Sequence, residues 1–265
     1  MSTTTPHLLE PYLSLPRETS LIVLSSILGA STNWLLARYI HSYLKTPSVE
    51  GEPEVAVLLA SFLRDYPFFQ QTFSKLSLDL DSEARKGRFA FVDGLTGLFL
   101  PSQRPGGRLQ DGDDLRAVQR QIGDALAGLD AGRKRRVVLV LDQPDFLVAS
   151  TSAGGGEGAG IVVRDVILDL REKVHSCVVT VSADDPLVHP PVAPTPLETN
   201  HSWFVLSLLH EADMLCALRL LDTGTAKDVS GVVRITSSRD GETEDREYLY
   251  KVGGHGGAKV FERGQ

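Results

Sequence analysis

The feature that most constrains the fold is a series of short, continuous apolar runs separated by stretches long enough to hold a helix. LIVLSS at 21–26, VAVLLA at 55–60, FAFVD at 89–93, VVLVLD at 137–142 and CVVTVS at 177–182 make five such runs. Apolar runs of this length that do not alternate with polar residues suit strands covered on both faces, and crossover helices fit between them. The expectation is an α/β domain: a mainly parallel sheet flanked by helices.

The intervening stretches support this. Residues 34–44 follow Ser31, Thr32 and Asn33, all favourable N-cap types, and 113–129 repeats apolar residues on one face. A third helix is expected at 161–174. Three segments read as loops: the glycine- and proline-containing 101–114, the glycine-rich 151–160 and the proline-stiffened 183–200. A helix is expected again at 203–210. Beyond it, 215–221, 232–236, 247–252 and 258–262 are short segments separated by glycine turns, the pattern of an antiparallel meander added to the parallel sheet. Residues 1–19 read as an N-terminal extension and 20–263 as one domain.

An apolar share of 42% and a charged share of 23% fit a globular chain. The longest apolar stretch, 21–30, is far short of the roughly 20 residues that span a bilayer, so no membrane contact is expected. The N-terminus has no basic segment followed by an apolar one, so secretion is not expected. Cys177 and Cys216 lie inside apolar runs and read as free thiols of a reducing compartment. A formal net charge of -7 opposes nucleic-acid binding by the chain alone, because phosphate affinity comes from Lys and Arg.

The first strand should run into the loop that decides whether such a sheet binds nucleotide. Phosphate-binding loops read G-x-x-x-x-G-K-[ST]: backbone amides cradle phosphate, the Lys neutralises it and the hydroxyl holds magnesium. Here the corresponding residues are SILGASTN. Ser26 and Ser31 stand at the two glycines, Thr32 at the lysine and Asn33 at the hydroxyl position. The loop is degenerate: Ser31, Thr32 and Asn33 are either a divergent nucleotide site or a strand-to-helix turn. Asp142 ends the fourth run, where such folds place the acid that positions magnesium, but an Asp there also caps turns. Asp93 has the same two readings. The histidines show no metal-ligand spacing, and no Gly-x-Ser-x-Gly elbow is present. The basic run 133–136 either touches RNA phosphate or is a solvated turn.

The segments LLDTGTAKDVSGVVRI at 220–235, EYLY at 247–250 and AKVFER at 258–263 resemble the Elongator complex protein 6 family. VLLASFLRD at 57–65 and VVLVLDQPDFLV at 137–148 extend the similarity over most of the chain from about residue 20. The resemblance implies a RecA-like fold with a degenerate phosphate loop, and a non-catalytic place in a hetero-hexameric ring. The implied partners are the related RecA-like Elongator proteins 4 and 5, the catalytic Elongator subcomplex, and tRNA bound through the assembled ring. The implied role is support of wobble-uridine (U34) modification of tRNA, in the cytoplasm and also the nucleus. No cofactor is expected on this chain alone, with ATP at ring interfaces. Lys227 and Arg234, with Asp228 beside the lysine, either form an ordinary hairpin or face a neighbour's nucleotide at a ring interface. The alternative is a divergent ATPase built on Ser31, Thr32 and Asp142.

Overall fold

The five apolar runs are strands. The computed structural model describes residues 6–46, 51–95, 114–130, 132, 135–150, 158–190, 193–221, 228–239, 242–253 and 257–262. In it β1 (Ser20–Ser26), β2 (Val55–Ser61), β3 (Phe89–Asp93), β4 (Arg136–Asp142) and β5 (Ser176–Ser182) each fall within one residue of the run expected. With β6 (Met214–Arg219) they form a parallel array in the order β3-β2-β4-β5-β1-β6. β7 (Gly231–Arg239), β8 (Glu242–Val252) and β9 (Ala258–Phe261) continue the same sheet antiparallel.

Strand pleating divides the core in two. Ile22 and Leu24, Val57 and Leu59, and Val138 and Val140 point to one face; Leu21 and Val23, Ala56 and Leu58, and Leu139 and Leu141 point to the other. The first face is covered by α1 (Glu10–Leu13), α2 (Asn33–Lys45), α3 (Tyr66–Ser74) and α4 (Leu80–Arg85). The second is covered by α5 (Asp114–Asp130), α6 (Asp145–Ser150), α7 (Ala159–Arg171) and α9 (Pro196–Glu211). A short α8 (Asp185–Val188) follows β5. Each fully buried Leu, Ile or Val contributes about 1.5–3 kcal/mol relative to exposure, which explains why runs without alternation form the central strands. Leu9 and Leu13, in the segment read as an extension, are buried in the first cluster.

One expectation is corrected. The stretch 183–200 is not all loop, because α9 begins at Pro196. Thr195 and Glu198 form a reciprocal capping box there, and proline sits in the first turn, where its missing N–H is harmless. The segment after α9 opens the antiparallel meander as expected, because β6 pairs antiparallel with β7, and on its other side β6 joins the parallel array next to β1, with Met214 opposite Ile22. Helix α9 carries the chain back across the sheet before β6, so the connection is a crossover rather than a hairpin. The tight packing of α7 on α9 depends on Gly160, where a side chain would meet the Asn200 carbonyl oxygen at 2.3 Å.

Both cysteines are free and buried, and burial pushes their thiols up to about 12. Among the described residues no helix is long and apolar enough to cross a membrane.

Candidate functional site

The site to inspect is the rim formed by the carboxyl ends of the parallel strands, where α/β sheets bind ligands. At the end of β1 the chain closes into a β-turn. The Ala30 N–H donates to the Ile27 carbonyl at 2.9 Å, and Gly29 supplies the turn's φ of +89°. The Leu28 N–H donates to Asp184 Oδ1 at 2.7 Å. A phosphate cradle needs successive amides converging on one point. Here the Leu28 and Ala30 amides are committed inside the protein, and the acceptor on Leu28 is itself a carboxylate.

The three residues singled out beyond the turn do not converge either. Ser31 is exposed, and its Oγ accepts the Asn33 N–H at 3.3 Å. Thr32 is buried; its carbonyl accepts from Leu35 and Leu36, while its side chain makes no cap hydrogen bond. The expected N-cap role therefore fails for Thr32, whose backbone is already helical.

Asp142 lies at the end of β4, with β5 between it and β1. Its carboxylate is fully buried and held from three sides. Ser61 Oγ donates to Oδ2 at 2.9 Å and Thr180 Oγ1 to Oδ1 at 3.0 Å. Arg64 Nη1 bridges both oxygens, at 3.0 and 2.8 Å. Arg64 is itself fixed: its N–H donates to Ser61 Oγ at 3.0 Å, and its guanidinium lies 5.3 Å from the Phe68 ring centre. The carboxylate thus has an internal cation where a phosphate-loop enzyme would use magnesium.

The network extends along the rim. Gln143 adopts a left-handed φ of 59°, and its N–H donates to Thr180 Oγ1 at 2.9 Å; Ser182 Oγ donates to Gln143 Oε1 at 2.8 Å. The Ser182 N–H donates to Asp145 Oδ2 at 3.2 Å, and the Ser182 carbonyl lies 3.0 Å from His201 Nε2. Burial raises the Asp145 carboxyl above its ordinary value, opposed by His201 and by hydrogen bonds from Ser182. Asp93 resolves as a turn cap, accepting the Leu95 N–H at 3.0 Å.

A magnesium-bound triphosphate does not fit these residues. The Leu28 and Ala30 amides are already bonded within the protein, the position of the phosphate lysine is the buried Thr32, and the metal-positioning acid is already paired with Arg64. A cleft of about 900 Å³ beside α3 and α4 is lined by Phe68, Gln71, Ser74, Leu78 and Asp79 among others. Among its described lining residues none is cationic.

The remaining expected residues are dispersed. Arg234 binds Asp245 across the β7–β8 hairpin through Nε at 2.9 and 3.0 Å and through Nη2. Asp228 is exposed in the turn before β7, and Lys227 lies outside the described residues. From the basic run, Arg135 pairs with Glu54 and Arg136 with Glu52, both at 3.1 Å; Arg133 and Lys134 lie outside the described residues. Among the described residues no three His, Cys, Asp or Glu side chains gather as a metal site. Sequence reasoning did not find Arg64, Thr180 or Asp184. The only hint was a hydroxyl residue inside the otherwise apolar fifth run.

No protein-family model matches this sequence, and no curated protein matches it. A solved structure does: a KaiC-like protein from the hyperthermophilic archaeon Pyrococcus horikoshii, with a TM-score of 0.60 over 98% of each chain at 14% sequence identity. The likeness spans the parallel array and the antiparallel strands together, and at that identity it speaks for architecture alone. The chain has an α/β fold of the RecA type, with a mostly parallel sheet completed by C-terminal antiparallel strands.

Proposed function

We propose that this chain is a non-catalytic subunit of the RecA-like hetero-hexameric ring of the Elongator complex, supporting tRNA binding and wobble-uridine modification. The observation that carries the non-catalytic part is the rim's self-sufficiency. Asp184 binds the Leu28 amide and Arg64 neutralises Asp142, so the groups that would grip phosphate and metal already serve one another. The same observation weighs against a divergent ATPase built on Ser31, Thr32 and Asp142. The Elongator part is supported by the resemblance of residues 220–235, 247–250 and 258–263.

On this reading the chain supplies shape and surface, ATP at ring interfaces is gripped by neighbouring chains, and tRNA is met by the assembled ring. Arg234 reaches a neighbour's phosphate only by leaving Asp245, and Lys227 is the other candidate for such a contact. The test is co-expression with Elongator proteins 4 and 5, followed by light scattering. A stable hexamer with tRNA affinity that the isolated chain lacks is expected. A monomer that ignores both partners rejects the reading.

A further inference from the structure

A pocket lies where β4 and β5 begin, at the end of the sheet opposite the rim. It sits between α5 and the turn that joins α7 to β5, and its volume of about 310 Å³ falls within the range of small-molecule sites, about 300–1,000 Å³. One wall is a single helix face: Gly123, Leu126, Ala127 and Asp130 fall at i, i+3, i+4 and i+7 of α5. Val137 of β4 and Val174 add apolar surface. The backbone fixes this frame. The His175 N–H donates to the Val137 carbonyl at 2.8 Å and the Thr19 N–H to the His175 carbonyl at 2.6 Å, while the His175 ring is held by the Pro16 carbonyl, 3.0 Å from Nε2.

Two features of the lining call for a ligand. Gly123 leaves space: apart from its chain neighbours and helix backbone, no described atom lies within 4 Å of where its side chain would begin, although glycine weakens a helix interior. Arg135 lines the same pocket, and its side chain is only 5% exposed. Nη2 reaches Glu54 at 3.1 Å and the Lys86 carbonyl at 3.0 Å, and Nη1 reaches the Gly87 carbonyl. The buried Nε has no hydrogen-bond partner among the described residues. A buried donor without an acceptor is destabilising, and an acceptor on a bound molecule would satisfy it.

The rest of the lining narrows the chemistry. Lys173, exposed at the pocket, offers a second cationic donor. Leu126, Val137 and Val174 suit an apolar body. A doubly charged phosphate ester is disfavoured, because Glu54 already holds Arg135 and the Asp130 carboxylate stands in the lining. We infer that the pocket between α5 and the α7–β5 turn binds a small monocarboxylate with an aliphatic or aromatic body, its carboxylate on Arg135 Nε and Lys173. The site is at the opposite end of β4 and β5 from the rim, so it does not depend on the ring-subunit reading.

Isothermal titration of the full chain with benzoate, phenylacetate and hexanoate tests this, each paired with its uncharged amide. At least one carboxylate should bind saturably with a Kd of about 1 mM or below, and its amide at least about tenfold more weakly. Gly123→Leu fills the space and suits a helix better, so the fold should survive, as circular dichroism would show, while binding is lost. Lys173→Met keeps the stem, removes the charge and should weaken binding about tenfold. No saturable binding by any of the three acids overturns the site. Equal affinity for acid and amide overturns the anion assignment, and binding unchanged in Gly123→Leu places the ligand elsewhere and overturns the pocket.

Discussion

Replacing Arg64 by Met tests the internal cation directly, because it keeps most of the side-chain volume and removes only the charge. The Asp142 carboxylate is fully buried, and the substitution would leave it with the Ser61 and Thr180 hydroxyls. Removing one partner of a buried ion pair costs about 3–5 kcal/mol. Arg64→Met should therefore lose about 3–5 kcal/mol of unfolding free energy. Urea unfolding measures this. Arg64→Met/Asp142→Asn should recover part of the loss, because no unpaired charge remains. A loss under 1 kcal/mol would refute the pairing of Arg64 with Asp142 as a stabilising contact.

Three further outcomes follow from the packing. Asp145 has a carboxyl raised by burial, so its folded form binds the proton more tightly than the unfolded chain. Stability then falls as pH rises from the ordinary carboxylate value through the raised one. Asp145→Asn should flatten that fall in melting temperature measured from pH 4 to 8; parallel curves for the two proteins would contradict it. Gly160→Ala forces a methyl against the Asn200 carbonyl and should destabilise by about 1–3 kcal/mol in denaturant unfolding. Thr195→Ala removes the hydroxyl that accepts the Glu198 N–H and should lower stability by about 1 kcal/mol, with no change expected if α9 is held by packing alone.

The strands were legible because burial on both faces forces an apolar residue at nearly every position, as in β2 and β4. The parallel arrangement of the first five followed from their spacing. β6 was legible as the first strand of the meander, with alternating burial and an antiparallel partner in β7; its parallel pairing with β1 was not, because only the path of α9 sets it. α3 was missed because Pro67 reads as a breaker, whereas it sits in the first turn behind the Asp65 cap. At the site, the weakness of the phosphate loop was readable from Thr32 and Asn33. What replaces it was not. Arg64 and Asp142 are 78 residues apart, and Leu28 and Asp184 are 156 apart. No local spacing couples such pairs; the strand order does.

A rim whose own side chains occupy the phosphate- and metal-binding positions should bind no nucleotide. Isothermal titration of magnesium-ATP into the purified chain tests it most directly. No saturable heat is expected up to millimolar nucleotide. Stoichiometric binding at micromolar affinity, lost when Asp142 is replaced, would contradict it.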